Sequence, residues 1–521
     1  MISSCKHARG KARVTISVIS KGVMALTLFC LTVSAAGNAQ TRSGNAPLAD
    51  FDGYVARAAR EWNAAGLAVA VVKDGKVLFE RTYGVREIGK PDPVDTMTLF
   101  AIASTTKAIT SAALGMLVDE GKVKWDDPVT NYIPSLQLYD PYVTRELTVR
   151  DLLTHRAGVR NADFLWYLND VPRREMIRRL RFVRPSYSLR SSFEYQNIMY
   201  SLAGDVIEAA SGIPWEQFVT TRIFQPLGMT RTFPTYAIAS RQENIASPHW
   251  KKGDTLSVIT NSPADVIASA GSVWSSIADM AKWTRFLLDS AKIGSTRYIK
   301  EQTFRELFSP QVSVPLDEFY ITANLTHPHW MTYGLGWYQQ DYRGRMVNFH
   351  TGSLDGMVAL IGLIPEENLG VYVLANADHM EVRHALMLRV FDLFLGDPVR
   401  DWSSELRTLY AARNARRDSS ENATVAKRTR GTRPSLALEK YSGSYADSLF
   451  GKIVVTAERG KLRVRTSSLL AGTAEHWQYD TFRIHWDNVA AGTDFLTFTI
   501  GEGGVPAQAQ FAGFTLRRDG P

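Results

Sequence analysis

Two pairs of apolar, β-rich runs, far apart in the chain, constrain its fold more than any other feature. Residues 67–72 and 77–83 are joined across Lys73-Asp74-Gly75-Lys76, and residues 358–364 and 370–376 across Pro365-Glu366-Glu367-Asn368. Each pair reads as two strands closed by a turn. Shorter strand patterns stand at 334–339 and 346–350. Helical periodicity dominates the interval, from Thr105 to about Leu227 and again over 277–288 and 300–307. An amphipathic helix is expected over 47–65, with Leu48, Phe51, Tyr54, Val55 and Ala58 on one face and its end near Gly66. A sheet built from both ends of a domain, with helices inserted between, is an α+β arrangement.

The chain continues past this unit. From Asp401 to about Pro434, Trp402, Leu406, Leu409, Tyr410 and Arg413 fit one helical face before Arg-, Ser-, Asn- and Thr-rich sequence takes over. The pattern predicts a helix that fades into a basic linker. Beyond Leu438, alternating runs at 452–457, 461–466, 481–486, 495–500 and 508–516 are separated by Gly-rich turns. Short strands at that spacing predict a small all-β barrel or sandwich. The expected organisation is therefore a leader (1–39), an α+β domain (40–400), a helix and basic linker (401–437) and a C-terminal β-domain (438–521).

The leader is read from charge and apolarity. Lys6, Arg9, Lys11, Arg13 and Lys21 precede an uncharged run over 23–36, and Gly37-Asn38-Ala39 supplies small residues before Gln40. That is the order of a cleavable secretory signal peptide, which predicts a secreted or periplasmic protein. The alternative is an N-terminal membrane anchor that also uses residues 14–20. No stable membrane insertion is expected after cleavage. Both cysteines, Cys5 and Cys30, lie in the leader, which excludes a disulfide scaffold or Cys-rich zinc module from the mature chain. The 521 residues carry 60 Lys and Arg against 52 Asp and Glu, a formal charge of +8. Five of those bases belong to the leader, so the mature chain is only +3, and residues 401–433 hold eight bases against four acids. A nucleic-acid partner is not expected.

The chemistry concentrates at three places. Ser104-Thr105-Thr106-Lys107 lies where a strand-like run (98–103) gives way to a helix that ends near Gly121. Residues three apart share a helix face, so Lys107 lies beside the Ser104 hydroxyl. A serine is a weak nucleophile until a neighbouring base takes its proton, and a lysine held unprotonated can be that base. The spacing alone is weak, since Ser3 and Lys6 share it. Tyr195-Gln196-Asn197 precedes a helix over 198–210. His350-Thr351-Gly352-Ser353 ends a strand, where Gly352 and Gly356 let a ligand approach the backbone.

Ser-x-x-Lys, Tyr-x-Asn and a basic residue followed by Thr-Gly, in that order, resemble the serine β-lactamase and penicillin-binding-protein superfamily, in its class C-like branch. Leu152-Leu153-Thr154-His155-Arg156-Ala157-Gly158, Pro226-Leu227-Gly228-Met229 and Tyr333-Gly334-Leu335-Gly336-Trp337 look like the same branch, and the resemblance covers roughly residues 50–395. The β-domain, with residues 476–482, is similar to the lipocalin-like domain attached to some of these hydrolases.

The resemblance implies roles. Ser104 is the acylated nucleophile, Lys107 and Tyr195 share the proton work, and Tyr195 also activates the deacylating water. Asn197 bonds Lys107 or a substrate amide. The backbone N–H groups of Ser104 and Ser353 form an oxyanion hole beside His350, Thr351 and Gly352. Trp166 and Tyr167 are candidate pocket walls. Tyr167-Leu168-Asn169 also reads Tyr-x-Asn, but it lies in an aromatic loop, so Tyr195 is preferred. His350 stands where the superfamily usually has Lys. A histidine is only partly charged at neutral pH, which argues against a fixed carboxylate clamp.

The expected activity is hydrolysis of a small peptide or ester substrate through an acyl-enzyme, with unusual or D-residue-containing peptides preferred. Alternatives are a β-lactamase or D-Ala-D-Ala carboxypeptidase, a carboxylesterase, and a non-catalytic scaffold. No cofactor or metal is implied; His327 and His329 flank Pro328 with no third ligand. Residues 84–90 have P-loop spacing but follow a hairpin strand and read as a turn. His155 and the Arg-rich stretch 173–190 read as structural. A homo-oligomer through the β-domain is a further expectation.

Overall fold

The computed structural model describes residues 46–520, apart from Asp254, 317–319 and 397–399; the leader, with both cysteines, lies outside the described residues. The two terminal hairpins meet in one eight-stranded antiparallel sheet. Its strands are β1 (Gly66–Lys73), β2 (Lys76–Gly84), β3 (Val312–Ser313), β4 (Met331–Tyr333), β5 (Tyr338–Tyr342), β6 (Arg345–Leu354), β7 (Met357–Ile364) and β8 (Leu369–Ala375), in the spatial order 3-4-5-6-7-8-1-2. The β1–β8 pairing, with Leu67 opposite Ala375 and Lys73 opposite Leu369, joins the two ends of the domain.

Alternation along the central strands explains their uninterrupted apolarity. Ala68, Ala70 and Val72 of β1, with Ala359, Ile361 and Leu363 of β7, face a helical core; Leu67, Val69 and Val71, with Val358, Leu360 and Ile364, face a second core on the opposite side. A strand covered on both faces has no polar face to show. The second core is closed by α1 (Phe51–Glu61) and α8 (Val382–Leu395).

On the other face lie α2 (Thr106–Asp119), α3 (Val149–Leu152), α4 (Phe164–Tyr167), α5 (Arg173–Arg179), α6 (Asn197–Ser211) and α7 (Ile277–Leu288). Every residue of α2 from Thr106 to Leu117 is buried, so it is a core helix without a solvent face.

Three sequence expectations are corrected. Residues 334–339 are not one strand: Gly336, at φ 88°, turns the chain between β4 and β5 and packs against the Lys107 carbonyl. The helix after Asp401, α9 (Trp402–Ala426), does not fade early but runs for 25 residues. Its anchor is the expected apolar start, where Trp402 is buried and donates its indole N–H to Asp392 at 2.7 Å. Residues 508–516 are two strands, split by a turn in which Ala512 and Gly513 both take positive φ. A two-residue hairpin of that kind matches strand twist.

The C-terminal strands are β9 (Gly443–Asp447), β10 (Gly451–Glu458), β11 (Lys461–Arg465), β12 (Ala471–Gln478), β13 (Thr481–Trp486), β14 (Thr493–Ile500), β15 (Pro506–Phe511) and β16 (Phe514–Arg518). They form a closed barrel in sequential order, with β9 pairing β16. Tyr441, Tyr445, Phe482 and Phe498 pack together in its core, at ring separations of 4.9 to 5.8 Å.

Candidate active site

Ser104 stands on the bend between the strand pair Phe100–Ala101 and α2. Ala103, just before it, takes φ 47°, a left-handed conformation that costs an L-residue about 1–2 kcal/mol. The bend is held by the Thr105 hydroxyl, which donates to the Ile102 carbonyl at 2.8 Å and accepts from Tyr372 at 2.7 Å. Ser104 is left half-buried at the head of a buried helix.

Lys107 follows one turn later and is fully buried. Its Nζ lies 3.1 Å from Ser104 Oγ, 2.7 Å from Asn197 Oδ1 and 2.9 Å from the Ala270 carbonyl. The Asn197 amide cannot turn round, because its Nδ2 donates to Asp163 at 2.8 Å. Two of the three partners of Lys107 can therefore only accept. A neutral amine has two N–H groups, which those acceptors use, and its lone pair is left facing the serine hydroxyl. Burial favours that neutral form and pushes the ammonium down to about 7, opposed only in part by the Asp163 carboxylate. The faces of Tyr195 and Tyr200, whose ring centres lie 4.9 Å and 5.2 Å from Nζ, act the other way, since an aromatic face attracts a cation.

Tyr195 enters on the approach to α6, with its phenol hydrogen-bonded to Ser104. Burial raises that phenol above its ordinary range, so Tyr195 keeps its proton. His155, at φ 56°, accepts the Gln196 backbone N–H on Nδ1 at 3.1 Å and lies against the Tyr195 ring at 4.3 Å. It orients the Tyr195–Asn197 segment.

The third motif lies on β6. The pairing of β5 with β6 stops at Phe349, so residues 350–354 leave an edge that packs on the Ser104 bend. Only glycine fits at 352, because a Cβ there would collide with the Ile102 carbonyl. His350 is buried; its Nδ1–H donates to the Thr351 carbonyl at 2.7 Å and its Nε2 accepts from Tyr333 at 3.0 Å. Burial, with Lys107 nearby, lowers it to about 3, so it is neutral throughout the physiological range rather than partly charged. Thr351 is half-buried and Ser353 exposed.

The two aromatic candidates are on α4. Trp166 donates its indole N–H to Asp163 at 2.8 Å, and Tyr167 donates to Asp355, in the turn after β6, at 2.8 Å. Asn169 donates to the Phe164 carbonyl. The second Tyr-x-Asn is thus engaged away from Lys107, whereas Ser104, Lys107, Tyr195 and Asn197 converge.

Sequence reasoning missed Asp163 and Arg383. Asp163 stands just before an aromatic run, a weak signal for a helix start, but its side chain caps nothing. Arg383 donates to Ser353 Oγ at 3.0 Å and to the Ala359 carbonyl at 3.2 Å, stiffening the β6 edge from behind. Among the described residues no three His, Cys, Asp or Glu side chains group as metal ligands.

Residues 51–392 match the family model described as beta-lactamase, and residues 427–519 match one described as a domain of unknown function, DUF3471. The chain is 28% identical over 498 residues to the Unguisins hydrolase ungD of Aspergillus violaceofuscus, covering 88% of this chain and 86% of that protein. It is 26% identical over 324 residues to protein flp of Staphylococcus aureus, covering 60% and 59%. Two solved structures share the fold. The octameric penicillin-binding protein homologue from Pyrococcus abyssi has a TM-score of 0.59 at 21% identity, covering 90% of this chain and 99% of that one. SurE has a TM-score of 0.56 at 20% identity, covering 91% and 100%.

Proposed function

The chain belongs to the beta-lactamase family of serine hydrolases, and on that footing we propose that it cleaves small peptides or esters through an acyl-enzyme on Ser104. The observation that carries this reading is Lys107 Nζ 3.1 Å from Ser104 Oγ, with its other two partners able only to accept, an arrangement that leaves the lone pair of the unprotonated amine for the serine hydroxyl. Lys107 takes the hydroxyl proton as Oγ bonds to the substrate carbonyl carbon. The carbonyl oxygen becomes an oxyanion and receives the backbone N–H groups of Ser104 and Ser353, each worth about 3 kcal/mol. The Tyr195 phenol gives its proton to the leaving amine or alkoxide and is reprotonated from Lys107. Water then adds to the acyl carbon as its proton passes through Tyr195 to Lys107; the bond from that carbon to Ser104 Oγ breaks, Oγ takes the proton back from Lys107, and the acid product leaves. Tyr195 is a relay here rather than a resting base, because burial favours its protonated form.

Substrate class follows from His350. A neutral imidazole offers no fixed positive charge where a carboxylate would dock, which favours amide and ester substrates over β-lactams and C-terminal D-Ala-D-Ala. Among the former, peptides with unusual or D-residues are preferred. The test is a panel of p-nitrophenyl acetate, D- and L-aminoacyl anilides and a chromogenic cephalosporin, run on wild type and Ser104→Ala. Ser104-dependent turnover of ester or anilide, with the cephalosporin slowest, is expected; a cephalosporin turned over fastest overturns the reading of His350. Export belongs to the same proposal and rests on the leader pattern. The intact mass of the exported protein checks it, with a start at Gln40 expected and a start at Met1 contradicting cleavage.

A further inference from the structure

We propose that Asp163 is a positioning residue for the Ser104–Lys107 pair, and that the C-terminal barrel holds it in place. The inference rests on the proposed Lys107 base and adds a residue and a domain to it. Asp163 is a hub. Its Oδ2 accepts from Asn197 Nδ2 at 2.8 Å and Asn161 Nδ2 at 3.2 Å, and its Oδ1 accepts from the Trp166 indole at 2.8 Å. Asn161 also donates to the Tyr195 carbonyl at 2.9 Å. The carboxylate thereby fixes which end of the Asn197 amide faces Lys107, and ties that choice to the backbone that carries Tyr195. Were the amide reversed, Nδ2 would face the amine and the lone pair would turn away from the serine.

The segment carrying Asp163 is clamped by the barrel. Phe164, the next residue, packs against both the helical core and the barrel core. Its ring lies 4.8 Å from Phe514 and 6.2 Å from Phe450. Downstream, Asp170 accepts from the Ser468 hydroxyl at 3.0 Å and from its backbone N–H. Arg179 of α5 donates to the Phe450 carbonyl at 2.9 Å. The titratable groups facing Lys107 are Tyr195 from just ahead of α6, Tyr200 from α6, His155 from the loop after α3, His350 from β6 and Asp163 from ahead of α4. Asp163 is the anion among them, so its placement sets the electrostatic balance of the amine as well as its orientation.

The test measures the rate of Ser104 modification by a fluorophosphonate against pH in full-length wild type, Asp163→Asn and the double variant Asp170→Ala/Phe514→Ala. Asp163→Asn is expected to label at Ser104 several-fold more slowly. Its ascending limb should move to lower pH by about half a unit, less than for a directly contacting charge, because the ammonium loses its anionic neighbour. The double variant should move the limb the same way by less. A fold defect alone lowers the amplitude without moving the limb. A limb in Asp163→Asn that superimposes on wild type overturns the role of Asp163. A limb that moves in Asp163→Asn but not in the double variant overturns the role of the barrel. A wild type with no ascending limb overturns the Lys107 base, and this inference with it.

Discussion

At the scale of the residue, the site works by withholding charge. Holding Lys107 at about 7 instead of 10.5 means that at lower pH its burial opposes protonation at a cost of about 5 kcal/mol. What the fold gains is a base that is available near neutrality. His350 is lowered to about 3 and Tyr195 is raised, so neither titrates near that range. The proposed mechanism needs the unprotonated amine, so kcat/KM should climb through a single limb near pH 7 and stay level beyond it. A profile of kcat/KM with a limb centred below about pH 5 would place the base on a carboxylate instead. The resemblance made Ser104, Lys107, Tyr195 and Asn197 legible, because each sits in a short motif. Asp163 was not, because its role comes from a contact with Asn197 made only in the folded chain. His350 was readable as unusual, but its neutrality depends on burial and on Tyr333, which spacing does not reveal.

At the scale of the element, β6 approaches the bend at Ser104 closely, and the proposed oxyanion hole depends on that approach. Gly352→Ala tests that approach. Its Cβ would meet the Ile102 carbonyl and crowd the Ala103 side chain, both on the bend itself, so no side-chain rotation relieves the clash. Chemical denaturation should show a loss of about 1–3 kcal/mol, and Ser104 acylation should slow by about 100-fold as the Ser353 N–H withdraws from the oxyanion. Unchanged acylation in a folded Gly352→Ala protein would mean that Ser353 does not serve the oxyanion. The two terminal hairpins were legible because their apolar runs are bounded by turn residues. The break at 334–337 was not, since apolar residues continue through a tight turn made by one glycine. In the barrel, β9 and β12 went unread because Gly443–Asp447 and Ala471–Gln478 are rich in small and polar residues. Their strand state is set by pairing with neighbours rather than by propensity.

At the scale of the whole molecule, the α+β unit and the filled barrel meet at the segment 163–170, and that contact is the route by which we propose that a domain far along the chain bears on Lys107. The two terminal hairpins made the α+β unit legible in the sequence, and the regular strand spacing the barrel. Their contact through Phe164 was not visible, because an aromatic in a short aromatic run reads equally well as pocket wall or as core. In the proposed mechanism a neutral Lys107 makes Ser104 the covalent centre. Intact-mass and peptide mapping of the full-length protein after brief exposure to a fluorophosphonate tests it most directly, comparing wild type with Lys107→Met. A single adduct on Ser104 is expected, formed about 100- to 10,000-fold more slowly in Lys107→Met. An adduct on another residue, or equal labelling of Ser104 in both proteins, would contradict it.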